Sequence, residues 1–174
     1  MGISKLSFDK ILEKGDIMII QIIDNSVRDE VAKFINKNAN NGTMVSKGRR
    51  HKIEELPGFV VFEKNKITGI VTYDIEDRAC EIISLDSFIE NRGLGTKLIE
   101  KVTEVAKNVN CNRVWLVTTN DNTRAIGFYQ KRGFEMKAFY PNSVSYAREL
   151  KPEIPKIGLN NIPLKHEIEF EKQI

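Results

Sequence analysis

The chain has 174 residues, of which 41% are hydrophobic and 29% charged, with a net charge of +3 and both signs mixed along its length. This length predicts one domain, residues 1–174, with a continuous core that needs no disulfide or metal staple. The composition excludes a disordered chain, and the charge bias is too weak to point to nucleic acid or a membrane surface.

Residues 1–15 read as a short amphipathic lead-in. The β-branched run Ile17 to Ile23 predicts a strand. Asp24, Asn25 and Ser26 then offer N-cap side chains, and Val27, Val31, Phe34 and Ile35 follow at helical spacing, so a helix should reach about Asn38. Ser46 to Lys52 is polar and basic and reads as a loop. Gly58–Glu63, Ile67–Ile75 and Cys80–Phe88 form an antiparallel meander, with turns at Lys64–Lys66 and Glu76–Arg78.

The period then changes. Leu94, Leu98, Val102, Val105 and Val109 predict a helix of about four turns. Arg113 to Thr119 reads as a strand buried on both faces, parallel to Cys80–Phe88 through a right-handed crossover. A shorter helix is expected over Asn122 to Lys131, ended by Gly133, with a strand from Phe134 onward. Residues 151–174 read as an extension: a Pro-containing connection, Lys151 to Pro163, then a last strand, Leu164 to Glu171. The order implies a mixed α+β fold, a mostly antiparallel sheet with helices on its faces.

Cys80 and Cys111 sit in apolar segments without metal-like spacing, and read as buried reduced thiols. No apolar run approaches the roughly 20 residues of a membrane span, and no leader segment is visible. The expectation is a cytoplasmic protein, a monomer or homodimer, with no metal, membrane or nucleic-acid partner.

The chemistry concentrates where the meander ends. The predicted strand runs into Glu90-Asn91-Arg92-Gly93-Leu94-Gly95-Thr96, and a helix begins there. Gly93 and Gly95 let backbone approach a ligand closely. The unpaired N–H groups and positive dipole end of the helix favour an anion such as pyrophosphate. A Gly-Lys-Ser/Thr triplet is absent, and so is the third glycine of the dinucleotide fingerprint. Two glycines alone also suit a tight strand-to-helix turn with no ligand.

A second stretch, Asn122-Thr123-Arg124-Ala125-Ile126-Gly127-Phe128-Tyr129 through Gly133-Phe134, follows at a distance of one helix and one strand. Together the two stretches closely resemble the GNAT superfamily of acetyl-CoA-dependent N-acetyltransferases, over about residues 15 to 150. Its phosphate motif, Gln/Arg-x-x-Gly-x-Gly/Ala, falls on Glu90 to Gly95. Its later motif, Asn-x-x-Ala then Phe-Tyr and Gly-Phe, falls on Asn122, Ala125, Phe128-Tyr129 and Gly133-Phe134.

The resemblance implies a GNAT-type sheet of about six or seven strands, with a splayed parallel pair that binds CoA. It implies that backbone at Ile83, Ser84 and Leu85 pairs with pantetheine, the Leu85 N–H polarising the thioester. It also implies that Arg92, Gly93, Leu94, Gly95 and Thr96 hold the pyrophosphate, joined by Asn122, Arg124, Ala125, Phe128 and Tyr129. Glu90 stands where the family has Gln or Arg and is expected to point outward. Arg92, Lys97 and Arg124 are candidates to offset phosphate charge, or solvated cations. Asn122 is also a plain N-cap. Tyr129 aligns with the family's general acid, which protonates the departing thiolate, and reads equally as a packed helix aromatic.

Attack by an amine requires a base. Glu81 is the first candidate, with Glu63, Asp74 and His51 open. The acceptor side is expected from the first helix, Thr43–His51 and a late loop at Phe139–Tyr146. Arg49 and Arg50 there would suit an acidic acceptor, or are simply solvated. The resulting expectation is transfer of acetyl from acetyl-CoA to a small-molecule amine. A protein or peptide acetyltransferase, or an acyl-CoA sensor without activity, are the alternatives.

Overall fold

The computed structural model describes residues 8–13, 16–38, 42–89 and 92–174. Strand β1 (Phe8–Glu13) pairs antiparallel with β2 (Asp16–Ile22), so part of the expected lead-in is sheet. Its apolar residues do not alternate, and the ladder to β2 rather than a period-2 pattern makes it a strand. Helix α1 (Arg28–Asn38) follows a turn in which Asp24 Oδ1 accepts the Ser26 N–H at 2.9 Å, and it buries Val31 and Ile35 one turn apart.

The basic stretch expected as a loop is a hairpin, β3 (Thr43–Ser46) with β4 (Arg49–Lys52). Lys47 and Gly48 turn it, with φ of 47° and 75°, the left-handed pair that two-residue hairpins require. Strands β5 (Gly58–Glu63), β6 (Lys66–Glu76) and β7 (Ala79–Ser87) form the expected meander. Its turns, Lys64-Asn65 and Asp77-Arg78, also have positive φ throughout.

Helix α2 (Leu94–Asn108) buries Leu94, Leu98, Val102 and Ala106, and leads to β8 (Arg113–Thr119). Helix α3 (Thr123–Gln130) is followed by β9 (Glu135–Tyr140), α4 (Ser143–Leu150) and β10 (Glu167–Gln173). Eight strands, rather than six or seven, form the main sheet in the order β1-β2-β5-β6-β7-β8-β10-β9. As expected, β7 and β8 are parallel; the other pairs are antiparallel.

One face of the sheet carries Cys80, Ile82, Val114, Leu116 and Phe170 against Leu98 and Val102 of α2 and Tyr129 of α3. The two cysteines are free and buried. The other face buries Val60 and Ile70 beneath Val31 and Ile35 of α1. Strand β8 is not buried on both faces: Val114, Leu116 and Thr118 are buried, while Trp115, Val117 and Thr119 are half-buried. Those three point to the second face, where the β3–β4 hairpin and polar side chains replace an apolar layer.

The connection from α4 to β10 is pinned by its backbone. Asn120 Oδ1 accepts the N–H groups of Lys165 and His166, each at 2.9 Å, and Asn120 Nδ2 donates to the Pro163 carbonyl. Asp121 Oδ2 accepts the Leu159 N–H at 2.8 Å, and Gly158 passes so close that a Cβ there would lie 2.0 Å from that oxygen. No described helix is long and apolar enough to cross a membrane.

Candidate active site

The parallel ladder between β7 and β8 is short. It runs from Ala79↔Arg113 to Ile82↔Leu116 and stops, although β7 continues to Ser87 and β8 to Thr119. A bulge sits at the stopping point: on β6 Thr72 faces Ser84 and Tyr73 faces Ile82, which leaves Ile83 as an extra residue on β7. An extra residue bends its strand and ends regular pairing. From Ile83 onward, β7 has no strand partner on the β8 side among the described residues.

The strand then meets the start of α2. Gly93 is the N-cap, left-handed at φ 65°, and accepts the Lys97 N–H at 3.1 Å. A Cβ on Gly93 would meet nothing within 4 Å, so the turn is open on that side. Gly95 serves differently: a Cβ there would lie 3.0 Å from Phe128 Cζ, so the absence of a side chain lets α3 close on α2. A cleft of about 320 Å³ lies in front of this helix start.

Most residues expected from the sequence line that cleft. They are Leu85, Arg92, Gly93, Leu94, Gly95, Asn122, Arg124, Ala125, Phe128 and Tyr129. The side chains of three others, expected to act through backbone amides, do not line it. Ile83 is buried, Ser84 bonds Thr72 hydroxyl to hydroxyl at 2.7 Å, and Thr96 accepts a hydrogen bond from Arg132 Nε at 2.8 Å. Glu90, expected to point outward, and Asn91 lie outside the described residues.

Arg92 does not stand ready as a solvated cation. Its guanidinium donates to Glu63 Oε1 at 2.6 Å, with both side chains nearly buried, so much of its charge is already matched. The same pair engages the Glu63 carboxylate with Arg92. Asn122 caps α3, its Oδ1 accepting the Ala125 N–H at 3.1 Å, and it lines the cleft as well.

Arg132 is a cleft residue that sequence reasoning missed. It lies over the Phe128 ring at 3.5 Å and donates to the Phe128 carbonyl at 2.7 Å and to Thr96. It therefore ties α3 to the first turn of α2 and places a cation beside it. The available signal was its position four residues after Phe128, one helical turn on.

Tyr129 is buried among Phe128, Phe134 and Phe170. Its hydroxyl has no hydrogen-bond partner among the described residues, and the ring lines the cleft. Burial, and secondly the Asp86 carboxylate, hold its pKa well above the usual phenol value, so it keeps its proton.

The base candidates sit on the other side of the sheet. Glu81 is buried and accepts the Ser46 hydroxyl at 2.5 Å. Burial raises its pKa, opposed by the Ser46 hydrogen bond. Asp74 faces Glu81 across the β6–β7 ladder. His51 is buried with Nε2 unpartnered, and burial with the neighbouring Arg49 lowers its pKa. Arg49 is ion-paired with Glu76 and near Asp74, with both side chains of the Glu76 pair exposed to solvent. Phe139 lies on β9 and Tyr146 on α4, rather than on a loop. The cleft with Tyr129 and the Glu81 side chain thus lie on opposite faces of the sheet, on either side of the β7–β8 pair. No group of three potential metal ligands exists among the described residues.

A splayed parallel pair, a bulge at the splay and a glycine turn opening a helix define an acyltransferase fold of one kind. The chain belongs to the GNAT acetyltransferase family, whose pattern matches residues 29–134. It is 45% identical over 159 residues to an uncharacterized protein of Bacillus subtilis (strain 168), YdhI, covering 90% of this chain and 99% of that one. Among solved structures it resembles the IAA acetyltransferase of Bacillus cereus ATCC 14579, with a TM-score of 0.65 at 16% identity over 90% of this chain and 99% of that one. It also resembles a GNAT family acetyltransferase of Elizabethkingia anophelis with acetyl-CoA bound, with a TM-score of 0.63 at 18% identity over 90% and 98%.

Proposed function

We propose that this chain moves the acetyl group of acetyl-CoA directly to the primary amine of a small molecule. The observation that carries this reading is the cleft at Gly93–Gly95, which adjoins the unpartnered side of β7. The helix start supplies N–H groups and a positive dipole end to the pyrophosphate, and Arg124 and Arg132 add charge. The free edge of β7 pairs with the pantetheine amides, and the Leu85 N–H stabilises the oxyanion, a contact worth about 3 kcal/mol in the transition state.

Glu81 takes the proton from the acceptor ammonium, directly or through water. The neutral nitrogen then attacks the thioester carbonyl. When the carbon–sulfur bond breaks, Tyr129 protonates the departing thiolate, its raised pKa keeping that proton available until then; the attacking nitrogen loses its second proton as the amide forms, and that proton restores the phenol through solvent. The roof over the Glu81 face supports a small acceptor: Ser46 bonds Glu81, and Lys151 beyond α4 donates to the Thr43 carbonyl of β3 at 2.6 Å. Such a cover leaves little room for an extended peptide.

The test is calorimetric titration with CoA and acetyl-CoA, joined to thiol release from acetyl-CoA with a panel of amines and free-terminus peptides. Binding of both nucleotides and turnover with small amines are expected. Absence of CoA binding would overturn the reading. Binding without turnover on any amine would favour a sensor.

A further inference from the structure

The sheet face opposite the cleft is rich in carboxylates. Glu81 on β7 and Glu167 and Glu169 on β10 are all more than nine-tenths buried. The registers Glu81↔Trp115, Glu169↔Val117 and Glu167↔Thr119 place them on both sides of β8 and on one face. The ladder between β7 and β8 ends one residue past Trp115, so this wall is the rim of the splay. The cations nearby are committed: Lys47 to Glu169, Arg49 to Glu76, and Arg113 to Glu169 and Glu171. Glu81 and Glu167 have no ion-pair partner among the described residues. Lys47 faces both at longer range, Arg49 also faces Glu81, and hydroxyls of Ser46 and Ser143 bond them, so their charge is only partly matched, and burial favours protonation or a closer cation.

The chain also shows which cation fits. Lys47, at the tip of the β3–β4 hairpin, places its ammonium 2.9 Å from Glu169 Oε2. That ammonium lies 5.1 Å from the Trp115 ring centroid and 5.0 Å from that of Tyr140. The Tyr140 hydroxyl donates to the same carboxylate oxygen at 2.5 Å. Two aromatic faces and a carboxylate around an ammonium form a cage for alkylammonium groups. A cavity of about 250 Å³ adjoins Trp115 on its other side, at the paired end of the β7–β8 ladder; Asp74, Glu76 and Glu81 line it together with Arg49 and Arg113. The Lys47 side chain is 36% exposed and sits on a two-residue turn, so it can leave without unpacking the core.

We propose that the acceptor is a dication, an alkyl diamine. Its distal ammonium replaces that of Lys47 in the Trp115–Tyr140–Glu169 cage, and its reacting amine lies at the splay beside Glu81. This deepens the acetyl-transfer reading and rests on it. Lys47 is then a built-in stand-in for the acceptor: it keeps the cage matched when no substrate is present and competes with substrate for it.

The test compares 1,4-diaminobutane, butylamine and 4-aminobutanoate as acceptors, by thiol release from acetyl-CoA. The diamine should exceed butylamine by about tenfold in kcat/KM, the value of one partly desolvated cation–π and ion-pair site. It should exceed 4-aminobutanoate by more. Glu169→Gln should collapse the diamine preference toward unity, and Lys47→Met should lower the diamine KM several-fold. Calorimetric CoA binding by each variant checks that it is folded. Equal or better use of butylamine or 4-aminobutanoate, or a preference that survives Glu169→Gln, would overturn the proposal. If no amine is turned over although CoA binds, acetyl transfer fails, and the cage is then read by calorimetry. Diamine binding to the CoA-loaded chain that Glu169→Gln removes supports the cage, and no diamine binding ends it.

Discussion

Gly95→Ala tests how the two family motifs are held together. The added methyl would lie 3.0 Å from Phe128 Cζ and 3.3 Å from Cε2. Carbon atoms rest at about 3.5–4.0 Å, so the ring must retreat by about 0.5 Å. It cannot do so freely, because Arg132 stacks on it at 3.5 Å and also holds the Phe128 carbonyl and Thr96. Overpacking of this kind costs about 1–3 kcal/mol, and replacing glycine by alanine within a helix returns about 1 kcal/mol. The net loss of about 0–2 kcal/mol corresponds to a fall in Tm of up to about 8 °C for a chain of this size. Coenzyme affinity should suffer more, because the helix start and the Phe128 ring both face the cleft. We expect the Kd for CoA to rise about tenfold, measured by titration calorimetry beside a thermal melt. Gly93→Ala is the comparison. It meets no neighbour but sits at φ 65°, so strain of about 1 kcal/mol comes without a clash. If Gly95→Ala bound CoA within twofold of the unaltered chain, the close approach of α3 to α2 would not set the cleft.

Three further outcomes are expected. Tyr129→Phe should leave the thermal melt nearly unchanged, because the ring packs and the hydroxyl has no partner among the described residues, but should lower kcat about a hundredfold; an unchanged kcat would remove the acid role. For Glu81, burial raises the pKa, so the base is lost as pH falls through a value above the ordinary carboxylate range; kcat/KM should fall with it, and Glu81→Gln should abolish that acid limb and lower kcat/KM about a hundredfold. A pH–rate profile kept by Glu81→Gln would reject it. Gly158→Ala forces a carbon to within 2.0 Å of Asp121 Oδ2 and should cost about 3 kcal/mol, seen as a Tm lower by about 6–12 °C. Asp121→Ala in the same chain should restore part of the loss, and strict additivity of the two would argue against the contact.

The sequence was most legible where a residue type has one structural use. Gly93 marked the helix start and the Asn122 to Phe134 motif marked α3, and the short turns at Lys64-Asn65 and Asp77-Arg78 separated the meander strands. The parallel pairing of β7 and β8 followed from strand, helix, strand. What was missed depends on partners far along the chain. β1 is a strand because β2 lies beside it. The β3–β4 hairpin was hidden by its basic composition, although Lys47-Gly48 is a turn pair of a recognised kind. α4 buries only Val144 and Ala147, too few for a periodic signal. The site divides in the same way. The cleft was readable residue by residue, whereas Arg132 and the ion pair of Arg92 with Glu63 exist only through contacts between α2, α3 and β5. The bulge at Ile83, where pairing with β8 ends, is announced by no local pattern.

Strand β10 lies between β8 and β9 although it comes after both in the chain. A ribosome therefore delivers β9 well before the strand that must separate it from β8. During that interval β9 lacks its native strand partner, and direct pairing of β9 with β8 is the competing arrangement. In the folded chain the Asn120 and Asp121 clamps hold the segment that leads into this strand. Completion of this half of the sheet thus requires the last strand, through pairing with residues about 50 positions earlier, the kind of non-local contact that slows folding.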